Sequence, residues 1–242
     1  MKRYIAGFLF VLFTLVNAQT KAKTLGPFTN VWDIRLSENG LFYTFKFEYK
    51  KDMFAQINDK VLGPYYNLTS PVLSPGGNSY GFVYEQYRER FVLVNNKSYG
   101  PFYDSNNPTF SYDGTHFAFV YKENKSEYVN IDGDAIYGPQ YDAGDVIFSD
   151  NGEHFTYAYC TEQECFIKVD TAVFGPYDEI KSPNISRKGF HYGFSYKKDK
   201  LWYTVVDGKI LGPFDYAWEV YFSEDGKHYL FAFGTYGNVW KI

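Results

Sequence analysis

Three observations predict an all-β chain of repeated four-stranded antiparallel sheets bent into a ring. A Gly-Pro pair recurs six times, at Gly26-Pro27, Gly63-Pro64, Gly100-Pro101, Gly138-Pro139, Gly175-Pro176 and Gly212-Pro213, at spacings of 37 residues with a single 38. A period near 40 residues marks a chain built by copying one supersecondary unit. Within each unit the apolar residues alternate with period two and never with a helical period. Finally, the two ends of the chain hold complementary parts of one copy.

The third copy displays the unit. Asn107 to Ser111 reads as a short strand A, and Tyr112-Asp113-Gly114 as a tight turn. Thr115 to Tyr121 alternates strictly and reads as strand B. Ser126 to Ile131 reads as strand C, followed by Asp132-Gly133, a dipeptide suited to a two-residue hairpin. Ala135 to Tyr141 reads as strand D and carries the Gly-Pro pair. Proline cannot donate to a ladder, so a proline in every D strand predicts D as the outer edge of each sheet.

Strand B predicts how the sheets pack. The third, fifth and seventh residues after each A–B turn glycine are aromatic in every copy, from Tyr43, Phe45 and Phe47 to Tyr229, Phe231 and Phe233. The fourth residue is mostly small (Thr44, Gly81, Ala118, Thr156, Gly193, Leu230). One face of each strand is therefore all rings and the other nearly bare. Rings of one sheet are expected to lie against the small face of the next.

The termini predict closure. The last copy runs through strand A (Trp218 to Ser223), B (Lys227 to Phe233) and C (Gly237 to Ile242). Its missing strand D matches Lys23 to Phe28, which repeats the pattern of Lys209 to Phe214. The expectation is a six-bladed β-propeller whose last blade is closed by the N-terminal strand beside Val239 to Ile242. The turns Ser37-Glu-Asn-Gly40, Ser74-Pro-Gly-Gly77, Ser111-Tyr-Asp-Gly114, Ser149-Asp-Asn-Gly152, Ser186-Arg-Lys-Gly189 and Ser223-Glu-Asp-Gly226, each followed by the aromatic strand, resemble the WD40-like repeat of TolB-type propellers. The resemblance covers nearly the whole chain after residue 18 and implies the fold. It does not imply the TolB role in envelope complexes, because the additional domain that precedes the TolB propeller has no counterpart among these residues.

Lys2 and Arg3 precede an apolar run from Tyr4 to Val16, and Asn17-Ala18-Gln19 offers a small-residue cleavage site. This predicts a signal peptide over 1–18 and a single propeller domain over 19–242, exported to the periplasm or secreted; an uncleaved anchor is the alternative. Losing 1–18 removes two basic residues and no acidic one, so the net charge of −4 becomes −6. With no basic stripe, nucleic acid is not an expected partner. No second long apolar segment follows, so the processed chain is expected not to be an integral membrane protein, and a monomer is expected.

Few residues suggest chemistry. The four histidines, His116, His154, His191 and His228, share one repeat slot, one per copy. A structural role, bonding a turn or a neighbouring blade, is expected rather than a metal site. Cys160 ends strand B and Cys165 starts strand C of the fourth copy, which suits a disulfide in an oxidising compartment; two free thiols are the alternative. Of the sequons at Asn67, Asn96, Asn124 and Asn184, the last falls inside an inner strand where a glycan would not fit. The residue four before each turn serine is polar throughout: Asp33, Ser70, Asn107, Asp145, Ser182 and Glu219. These are expected to begin the innermost strands and to ring one mouth of the channel, as a ligand site whose oxygens suit a polar ligand or a hard cation such as Ca²⁺. No nucleophile elbow or metal helix occurs. The function expected is a non-catalytic binding or scaffolding module for a protein or polar ligand, with no cofactor. The alternative is a small propeller hydrolase or lactonase with a metal at the channel mouth.

Overall fold

The computed structural model describes residues 10–16, 19–235 and 239–241, and every regular element in them is a strand. The third copy again sets the pattern. Strand B, Phe117–Glu123, pairs with strand C, Ser126–Ile131, and C pairs with strand D, Ala135–Gln140. Strand A lies on the other side of B in two pieces, Asp104–Ser105 and Thr109–Phe110. The A-B-C-D order repeats from the first copy to the fifth, with D outermost as the prolines require. In each of these copies the C–D register shifts at the Gly-Pro pair, so the missing donor falls in a bulge.

Strand A differs from expectation. In copies two to five it starts before the predicted position and breaks in the middle. Proline follows the break at Pro71, Pro108 and Pro183, where no N–H is available for the ladder. In the first copy the strand is continuous, Asn30–Leu36, but its register slips between Trp32 and Arg35, with Asp33 at φ 55°.

The turns are held by side chains. Each A–B turn serine accepts the backbone N–H five residues on, as in His116 N to Ser111 Oγ at 3.0 Å. In four of the six turns its hydroxyl donates to the Asn or Asp two residues on, as in Ser111 to Asp113 at 2.8 Å. At the C–D turns Asn58, Asn95, Asp132, Asp170 and Asp207 adopt the left-handed conformation that short polar residues tolerate.

The aromatic face packs as its periodicity predicts. The fifth residue after the turn glycine is buried in five copies: Phe45, Phe82, Phe119, Tyr157 and Phe194. Phe119 and Tyr121 of the third sheet lie against Tyr99, Phe102 and Val92 of the second. The small face receives the next sheet's strand A. A Cβ on Gly81 would come within 2.4 Å of Pro108, and one on Gly193 within 2.8 Å of Val220. Each buried ring removes on the order of 150–250 Å² from water, so the stacked rings carry most of the hydrophobic stabilisation.

The sheets curve into a ring. Arg187, in the A–B turn of the fifth copy, reaches Glu38, in that of the first, at 3.2 Å. Sheets stack about 10 Å apart, so an open stack would separate those turns by roughly 40 Å. The architecture is a β-propeller.

One expectation about closure is corrected. Val239–Lys241 pairs with Phe233–Thr235, and no N-terminal strand lies beside it among the described residues; Ile242 falls outside them. Gln19–Leu25 instead forms an antiparallel hairpin with Phe10–Val16, in which Leu25 faces Phe10. Adjacent segments pair at the smallest loop-closure cost. The packing position is nevertheless the expected one. Leu25 and Phe28 lie against Tyr43, Phe45 and Phe47, as Leu62 and Tyr65 lie against Phe82 and Tyr84. The cleavage site at Asn17-Ala18 lies outside the described residues.

Candidate functional site

Five of the six polar candidates sit at the break in strand A, and Asp33 sits at the register slip of the continuous first strand, so all lie part-way along the innermost strand and not at its start. The structure links three of them directly through neighbouring copies, and joins a fourth, Asp145, to Asn106 beside Asn107. Ser70 Oγ donates to Asp33 Oδ2 at 2.6 Å, Asn107 Nδ2 donates to the Ser70 carbonyl at 3.0 Å, and Asn106 Nδ2 donates to Asp145 Oδ1 at 3.3 Å. Ser182 and Glu219 make no hydrogen bond with this arc among the described residues. The Ser70 hydroxyl, then the Lys46 ammonium at 3.3 Å, holds the Asp33 carboxyl below its usual range. Lys46 thus supplies the positive charge beside Asp33. No three His, Cys, Asp or Glu side chains converge as a metal cradle among the described residues.

The opposite end of the bore is stitched together. Backbone bonds run from turn to turn: Glu38 N to Pro75 O at 2.9 Å, Gly76 N to Tyr112 O at 2.8 Å and Asp150 N to Arg187 O at 2.9 Å. Arg187 then bridges four of the six turns. It pairs with Asp150 at 2.9 Å and Glu38 at 3.2 Å, and its guanidinium lies 4.9 Å from the centre of the Tyr112 ring. The Asp150 carboxylate, more than Glu38, pushes the Arg187 pKa up. The second turn position reads Glu38, Pro75, Tyr112, Asp150, Arg187, Glu224, so one basic residue among three acids was the available signal. Sequence reasoning passed over it because turn charges are usually solvated.

Three of the four histidines are tied to a turn of their own blade. His116, His154 and His191 each bond the C–D turn aspartate of their own blade, at 2.7, 2.8 and 2.7 Å. The other oxygen of that aspartate accepts the next backbone N–H, as Asp132 does from Phe117 at 2.9 Å. Where the turn carries Asn58 or Asn95, the histidine slot holds Phe42 or Ser79. Cys160 and Cys165 form a disulfide across the B–C ladder. Asn184 is half-buried in Asn184–Ile185, with Nδ2 donating to Val220 O at 3.1 Å.

The face that carries the D–A and B–C connections is different in kind. Tyr66, Tyr103 and Tyr141 occupy one slot after the Gly-Pro pair, and Tyr87 tips a B–C turn. Their exposures of 83, 82, 65 and 87% are high for large apolar side chains. Tyr66 and Tyr87 flank a groove of about 530 Å³, with Asp52, Gln86 and Arg88 as its polar groups.

No family model matches the chain, and comparison with curated proteins finds no match. Among solved structures, TolB from Acinetobacter baumannii is 13% identical with a TM-score of 0.41, over 93% of this chain and 59% of that one. The β-propeller domain of the Trilobed protease from Pyrococcus furiosus is 14% identical with a TM-score of 0.48, over 96% and 85%. The putative TolB from Agrobacterium tumefaciens is 13% identical with a TM-score of 0.44, over 81% and 84%. This chain thus spans about three-fifths of the Acinetobacter protein. The likeness concerns the fold alone.

Proposed function

We propose that the protein is an exported, monomeric, non-catalytic propeller of six blades that binds a protein or polar ligand on the face of its D–A and B–C connections. The observation that carries this is the row of exposed tyrosines, Tyr66, Tyr87, Tyr103 and Tyr141, on that face. Tyrosine offers a large rigid contact area with a polar tip, and it is enriched where binding energy concentrates. The opposite rim is occupied by Arg187 and its partners, which leaves the tyrosine face as the open approach. No helix among the described residues is long and apolar enough to cross a membrane.

The test is an unbiased pull-down with the 19–242 chain, run in parallel with a Tyr66→Ala/Tyr87→Ala/Tyr103→Ala variant. The expected result is a partner retained by the native protein and lost by the variant. Recovery of no protein or glycan, or equal recovery by both, overturns the proposal. Ca²⁺ held by Asp33, Asp145 and Glu219 belongs to the hydrolase alternative, and stoichiometric metal in the purified protein would favour that alternative instead.

A further inference from the structure

One junction between blades departs from the rest of the repeat. Strand C of the second copy carries Arg90 opposite Phe102, and Arg90 pairs with Asp104 of the third copy. The equivalent positions between the fifth and sixth copies are Trp202, opposite Phe214, and Tyr216. At the other described junctions these two positions hold Met53 and Asn67, Glu127 and Asp142, and Cys165 and Glu179. An aromatic pair is therefore not required for one blade to pack on the next.

Trp218 adds a third ring. The ring centres of Trp202 and Tyr216 lie 5.2 Å apart, and those of Tyr216 and Trp218 5.4 Å apart in an edge-to-face arrangement. Trp202 is 2% exposed and forms the floor, while Trp218 is 44% exposed. Backbone bonds hold the wall in place. Ser195 Oγ donates to the Trp218 carbonyl at 2.7 Å, and Trp218 N donates to Ala232 O at 2.9 Å.

A cation occupies the enclosure. Lys181 Nζ lies 5.2, 5.0 and 5.4 Å from the centres of Trp202, Tyr216 and Trp218. Among the described residues no carboxylate is within ion-pair distance of it. A single cation–π contact is ordinary, with roughly one per 70–80 residues; three on one ammonium make an aromatic cage. The cage is a poor match for its occupant. A primary ammonium carries three N–H donors, whereas ring faces offer charge attraction and few acceptors. A trimethylammonium group has no N–H to satisfy and presents only methyl groups to the rings.

We propose that the cage between the fifth and sixth blades is a binding site for a trimethylammonium group, which displaces the Lys181 side chain. Lys181 is then a built-in competitor that keeps the cage filled when the ligand is absent. This narrows the binding function proposed above and rests on it. The group could belong to free choline or to a phosphatidylcholine headgroup, and the two are separable by experiment.

Tryptophan fluorescence reads the site, because Trp202 and Trp218 line it. The native 19–242 protein is titrated with tetramethylammonium, choline and phosphatidylcholine vesicles, with sodium as the control ion. Saturable quenching by tetramethylammonium is expected, at least ten-fold tighter in Lys181→Ala and absent in Trp218→Ala. A response to choline assigns a free solute, and one to vesicles alone assigns a lipid surface. No saturable response in Lys181→Ala overturns the proposal. So does a response in Lys181→Ala with none in the native protein, because Lys181 would then be a permanent structural fastening. Trp218→Ala removes a partly exposed ring, and its unfolding curve with and without tetramethylammonium reports binding independently of quenching. Failure here, with a partner still captured on the tyrosine face, leaves the broader proposal standing.

Discussion

The two rims of this propeller come from one repeat, yet they differ in what the repeat leaves free. At the A–B rim, backbone bonds between neighbouring turns and the Arg187 pairs tie the turns to one another. At the other rim the connections end in tyrosines with little to contact. The contrast teaches that a repeat fold closes one end with its conserved turn chemistry and is free to vary the other. Positions that obey the repeat build the ring, and positions that break it, such as Lys181 and Arg187, give the molecule its individual surface.

Both rims hang from the same aromatic core, so the largest effect is expected there. Phe194→Ala removes a fully buried ring between the fourth and fifth sheets and should cost about 3–5 kcal/mol, measured by urea unfolding. A smaller cost would mean that the blades stack independently and that the rims are not coupled. The next effect lies on the tyrosine rim. Replacing Cys160 and Cys165 by serine opens a loop of sequence separation 5 and should cost about 2 kcal/mol, measured by urea unfolding without reductant. Reductant should accordingly lower the stability of the native protein and leave the variant unchanged.

Arg187→Met tests the opposite rim. The pairs with Glu38 and Asp150 are partly exposed, so solvent screening limits the loss to about 1 kcal/mol. The variant should also lose the salt dependence that the pairs confer, read as a flatter stability against NaCl. An unchanged salt dependence would remove Arg187 as the clasp across the ring. The smallest effect concerns the arc in the bore. The folded pKa of Asp33 lies below its ordinary value of 3.8, so the stability it contributes is present above that value and is lost as the pH falls through the lower, folded value. Asp33→Asn should lower the stability near pH 7, where that contribution is fully present, and flatten the acid limb of the stability curve below about pH 4.

Much of the fold was legible in the residues. The alternation of rings with small residues specified the faces of strand B, and the Gly-Pro pairs marked the outer edge. Both signals are local and repeat six times. The break in strand A was less legible, because Pro71, Pro108 and Pro183 mark it in only three copies. The shared repeat slot of Asp33, Ser70, Asn107 and Asp145 was legible, but its depth part-way along strand A was not. Arg187 and the Lys181 cage escaped notice, since each depends on residues that meet only once the sheets have curved.

What the sequence determined by itself is the repeating unit: strand periods, turn chemistry, the outer proline edge and the disulfide, all of them interactions between residues near in the chain. Tertiary structure alone decided which unlike residues meet across blades. It brought Glu38 to Arg187 and Lys181 to three rings, and it paired Leu25 with Phe10 where the matching pattern pointed to Val239–Ile242. The physical reason is that equal repeats specify equal neighbours, so only the curvature and closure of the whole ring distinguish one junction from another.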